Sequence, residues 1–183
     1  MSYFAGAVVR GPKGWAASDF DLGGVSDAED VADRLRDVDL EATISLLFVE
    51  IDEEYLVLLR LDDGEDLRVF ASDAALSEES RLGAVLVADL EPPDHGIDIP
   101  DIPDDPDELD ETADEDSEEE ASGVEVEPDA DPIGDVDLLT DLGIPSRRLL
   151  AMVSHEGKLP SDVTAEICER LGCADEVEEL REA

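Results

Sequence analysis

Basic side chains are scarce in this chain: 12 Lys+Arg stand against 53 Asp+Glu, for a formal net charge of −41. Attraction to nucleic-acid phosphates needs clustered Lys and Arg that release counterions, so direct nucleic-acid binding is not expected. The same shortage argues against polybasic attachment to anionic lipid. Aromatic residues are few as well, 4% of the chain beside 42% apolar residues, so any core must be mainly aliphatic. Two cysteines, Cys168 and Cys173, are too few for the disulfide framework of a secreted domain. Long apolar runs are missing. The opening Met1-Ser2-Tyr3-Phe4-Ala5-Gly6-Ala7-Val8-Val9-Arg10 lacks a preceding basic region and a cleavage site, and is too short for a signal peptide or a span. A cytoplasmic protein with no membrane contact is expected.

Familiar chemistry is thin too. No Gly-rich phosphate loop of the G-x-x-x-x-G-K-[ST] or G-x-G-x-x-G kind occurs. His95 lies in an acidic stretch with nothing to orient it as a base, and His155 precedes Gly157 where an imidazolium suits a helix C-terminus. Cys168-x4-Cys173 with His155 fits no zinc spacing, and Cys168 shares a helix face with Ile167 and Leu171, as a small buried hydrophobe would. Asp129-x-Asp131-x-Ile133-Gly134 fails as a calcium loop at its third ligand. Paired carboxylates carry no information here, because with 53 acids any spacing occurs by chance. No residue is expected to be catalytic, to bind a cofactor or to hold a metal, and no cofactor is expected.

What is present is uneven. Residues 1–88 carry 20 acidic and 7 basic side chains, residues 89–137 carry 23 acidic and none basic, and residues 138–183 carry 10 and 5. The middle stretch also holds Pro92, Pro93, Pro100, Pro103, Pro106, Pro128 and Pro132. High net charge with low hydrophobicity cannot offset the entropy of ordering. Residues 91–134 therefore read as a disordered, Pro-rich acidic linker between two folded pieces, 1–90 and 135–183.

The first piece predicts an α+β domain of order ββαβββα. Tyr3 to Val9 alternates as a strand, Gly11-Pro12-Lys13-Gly14 turns, and Trp15 to Leu22 returns. Ser26-Asp27-Ala28-Glu29 has the form of a capping box with Ser26 as N-cap, followed by Ala28, Val31, Ala32, Leu35 and Val38 at helical spacing. Leu46 to Ile51 and Tyr55 to Leu61 read as a hairpin, with Asp63-Gly64 turning into Leu67 to Ala71. The unbroken apolar run Leu56-Val57-Leu58-Leu59 suits a strand covered on both faces. Residues 83–88 fit helix or strand equally. The expected architecture is an antiparallel sheet with helix against it.

The second piece predicts a small all-α unit. Val136, Leu138, Leu139 and Leu142 form a helix stopped by Gly143; Pro145 opens another closed by Gly157; Pro160 opens a third closed by Gly172; a short one follows from Asp175. Such a unit is near the lower size limit for folding alone, so it should dock on the first piece or on a partner.

Several segments together resemble the actinobacterial tRNA adenosine deaminase-associated proteins. They are Met1-Ser2-Tyr3-Phe4-Ala5 with Trp15, Leu47-Phe48-Val49-Glu50, and Arg68-Val69-Phe70-Ala71-Ser72-Asp73-Ala74-Ala75. After the acidic stretch come Asp137-Leu138-Leu139-x-Asp141-Leu142-Gly143 and the tail from Leu159-Pro160 through Glu169-Arg170-Leu171-Gly172. The resemblance transfers no catalytic residue. The zinc deaminase signature itself, H-x-E with P-C-x-x-C, does not occur, so the chain is not expected to be the deaminase. The resemblance implies a non-enzymatic accessory protein with a protein partner, the tRNA adenosine deaminase being the candidate. The alternative is an acidic nucleic-acid mimic competing for a basic tRNA-binding surface.

Overall fold

The computed structural model describes residues 2–90, 132–154 and 158–182. Most of the expected linker, 91–131, lies outside them, as do both histidines and Gly157. The flanking parts, residues 2–90 and 132–182, belong to one compact unit.

Its centre is an antiparallel six-stranded sheet in the order β2-β1-β3-β4-β5-β6. The strands are β1 (Tyr3–Gly11), β2 (Gly14–Asp19), β3 (Ile44–Ile51), β4 (Tyr55–Asp62), β5 (Asp66–Ala71) and β6 (Ile133–Gly134). Three neighbouring pairs are simple hairpins. The β4–β5 turn has Asp63 at φ 49° and Gly64 at φ 73°, as Asp-Gly hairpins prefer. β1 meets β3 only after α1 (Ala28–Val38) has crossed over the sheet. β6 is a correction: Ile133 and Gly134, placed at the end of the linker by composition, pair with Ala71 and Phe70. A side chain at Gly134 would meet the Val69 carbonyl at 2.2 Å, so the edge accepts only glycine there.

Alternation along the central strands feeds two cores. Leu47, Val49 and Ile51 with Val57, Leu59 and Leu61 point toward α1, α2 (Leu76–Glu79) and α3 (Arg81–Val87). Leu46 and Phe48 with Leu56 and Leu58 point the other way, under α4 (Ser146–Val153), α5 (Pro160–Leu171) and α6 (Ala174–Glu182). The C-terminal helices thus dock on the chain's own sheet and cover its second face. The apolar run at 56–59 needs both covers.

Local signals shift in detail. The N-cap of α1 is Asp27, which accepts from the Asp30 amide at 2.8 Å; Asp30 reaches back to the Ser26 amide and hydroxyl. The expected box therefore sits one residue later, with Asp30 in place of Glu29. Residues 83–87 are helical. Ser80 caps α3 by accepting from the Gly83 amide, and Gly83 lets α3 lie on Leu76. The expected helix over 136–142 is instead a turn running into a 3-10 segment, Thr140–Leu142, stopped by Gly143 at φ 92°. α4 ends at Val153, before Gly157.

Candidate functional site

Two charged residues interrupt the apolar alternation on the sheet's second face, and both are buried. β4 runs Leu56, Leu58, Arg60 on that face, and β3 runs Leu46, Phe48, Glu50. Because Arg60 pairs with Leu46 and Glu50 with Leu56, the charges stand at opposite ends of the covered area. A buried charge without a partner is costly, so each must be met by the segment packed above.

Arg60, 3% exposed, is met at one end. It donates to Asp141 at 2.5 and 2.7 Å, to Asp62 at 2.8 and 3.0 Å, and to the Leu138 carbonyl at 2.5 Å. Arg68 is its cross-strand neighbour, and like charges side by side repel. Asp62 resolves this by also accepting from Arg68 at 2.7 Å, with Asp135 at 3.8 Å. The Arg60 guanidinium holds the Asp141 carboxyl below the usual carboxylate range, while Asp141 pushes Arg60 further up. Glu50 is met at the other end by Arg181 of α6, whose guanidinium also lies over the Phe4 ring at 4.4 Å.

The Glu50–Arg181 pair lines a polar cleft of about 250 Å³ with Ser2, Tyr3, Glu53 and Ser161. Tyr3, 43% exposed, also walls a second groove on the opposite face of the sheet. That groove holds about 360 Å³ between Leu22, Val25, Leu82 and Val85, with Arg81 as its cation. The start of β1 therefore presents an exposed aromatic side chain between a polar cleft and an apolar groove.

Elsewhere, Glu166 on α5 gathers Arg148, Lys158 and Arg170. The Lys158 ammonium and then the Arg148 guanidinium pull its carboxyl down to about 2. The Tyr55 hydroxyl donates to Glu79 at 2.6 Å, which raises its pKa. Asp30, Asp141 and Glu166 are all shifted downward, the direction that keeps a carboxylate charged. Chemically, these groups hold charge in place. A proton donor near neutral pH requires the opposite shift.

Cys168 and Cys173 are buried together in the second core, while His155 is outside the described residues. Among the described residues no three His, Cys, Asp or Glu side chains gather into a metal-binding group, and no helix is long and apolar enough to cross a membrane. Sequence reasoning passed over Arg60 and Glu50. Their signal was a charge at an alternate position of a strand buried on both faces.

Fold and site define an α+β protein whose helices are bolted to its sheet by reciprocal ion pairs. The chain matches the family described as Rv3753c-like tRNA adenosine deaminase-associated protein over residues 3–174, and it belongs to that family. Neither the curated proteins nor the solved structures compared with it gave a match.

Proposed function

We propose that this protein is a non-enzymatic accessory or regulatory partner of a tRNA adenosine deaminase, acting in the cytoplasm through protein–protein contact. Membership of a deaminase-associated family carries the reading. The surface around Tyr3 supports it, because an exposed aromatic beside an apolar groove is the kind of anchor that protein interfaces use. In this reading partner recognition belongs to the folded unit and not to the acidic residues 91–131.

Titration calorimetry with the purified deaminase, at low and at high salt, tests it. Saturable binding that persists when residues 91–131 are deleted is expected. Absence of binding at low salt overturns the partnership. Loss of binding together with loss of tRNA competition on that deletion transfers the function to the acidic segment as a mimic.

A further inference from the structure

We propose that Cys168 and Cys173 form a reversible intramolecular disulfide when the protein meets a peroxide, which makes the corner between α5 and α6 a redox-modification site. The chain has two cysteines, and the fold brings them together. α5 ends at Leu171, Gly172 turns left-handed at φ 80°, and the Cys173 amide donates to the Cys168 carbonyl at 2.9 Å. In this helix-ending turn the residue after the glycine packs on the residue one turn back. Both thiols are fully buried in the same core. Two small apolar side chains would satisfy the packing equally well. Two thiols one helical turn apart add a reaction.

A cleft of about 130 Å³ between α5 and α6 has Cys168 in its wall, with Ala174 and Val177 lining it from α6. That volume admits a few water-sized molecules, so it suits hydrogen peroxide and shuts out a protein oxidant. Each thiol shifts the ionisation of the other, so the pair loses its first proton as a unit. The thiolate of one cysteine attacks the peroxide and the O–O bond breaks. Sulfenic acid forms on that cysteine, and the departing hydroxide takes up the proton it released, giving one water. The other thiol then displaces the sulfenic hydroxyl. An S–S bond forms, the S–O bond breaks, and the second thiol's proton leaves in the second water. Two thiols are oxidised by two electrons and one peroxide is reduced to two waters. The link fixes the start of α6, whose far end carries Arg181 against Glu50.

The full chain, reduced and freed of reductant, is treated with hydrogen peroxide, alkylated and digested with trypsin. Cleavage after Lys158, Arg170 and Arg181 puts the cysteines on separate peptides, 159–170 and 171–181. The expected product is these two peptides linked, about 2 Da lighter than their summed masses, from a chain that stays monomeric on a non-reducing gel and is separated again by a dithiol. Recovery of both peptides alkylated, of sulfinic or sulfonic acids without the linked pair, or of linkage only in a covalent dimer overturns the proposal.

Discussion

Arg60 and Asp141, 81 residues apart in the chain, share a two-pronged contact at 2.5 and 2.7 Å that joins the centre of the sheet to the segment leading into α4. Arg60 is nearly inaccessible, whereas Asp141 is more than half exposed, so the buried partner bears most of the cost when the pair is broken. Asp141→Ala leaves Arg60 with Asp62 and the Leu138 carbonyl, and is expected to cost about 2 kcal/mol in urea unfolding. Replacing both partners by leucine, Arg60→Leu with Asp141→Leu, is expected to cost less than that, because no buried charge is stranded.

The sheet supplies a cation at one end of its second face and an anion at the other, and the covering segment supplies the opposite signs. A reversed docking would set Arg60 against Arg181 and Glu50 against Asp141. Glu50→Arg and Arg181→Glu should therefore each destabilise strongly, and their combination should recover at least about 1 kcal/mol in a double-mutant cycle. Recovery will be incomplete because the contact between Arg181 and Phe4 is also lost.

These pairs also show what was legible in the sequence. The strands at 46–51 and 55–61 and the helix after Asp27 were readable because period and turn residues act locally. β6 was not, since two residues in a proline-rich acidic stretch gain their conformation only from Phe70 and Ala71 on β5. The helix expected over 136–142 failed for a related reason. Leu138 and Leu139 are buried as helix spacing demands, yet the turn that presents them also delivers the Leu138 carbonyl and Asp141 to Arg60. Tertiary demand overrode local pattern. The site itself was hidden because Arg60 and Glu50 look like surface charges until both faces of the sheet are known to be covered.

Gly83 gives a local test of helix packing. A β-carbon there would lie 2.3 Å from Leu76 Cγ and 2.7 Å from its carbonyl oxygen. Gly83→Ala would normally favour a helix, yet here it is expected to destabilise by about 2 to 3 kcal/mol, read as a lowered urea midpoint with an unchanged slope.

Glu166 predicts an acid-sensitive contribution. Its carboxyl is held at about 2 by Lys158 and Arg148, against an ordinary value of 4.5. A folded-state value below the unfolded one contributes stability that is fully present above about 4.5 and disappears as pH falls toward about 2. The melting temperature of Glu166→Gln should therefore lie below that of the native chain at neutral pH, and the gap should close across that window. Added salt should narrow it too, because the cations are partly exposed.

Leu90 and Gly134 lie side by side: Leu90 Cδ1 is 3.1 Å from where a β-carbon on Gly134 would stand. The two points that residues 91–131 join are therefore already neighbours in the folded unit, so a short bridge reaches from one to the other. Closing a shorter loop costs less entropy, with each halving of length worth about 0.6 kcal/mol. Replacing residues 91–131 by a four-residue Gly-Ser bridge is thus expected to leave the fold intact and to raise stability by about 2 kcal/mol, because the loop becomes roughly tenfold shorter. Calorimetric melting of the two chains measures this. A bridge that unfolded the protein would instead show that the acidic residues contribute native contacts of their own.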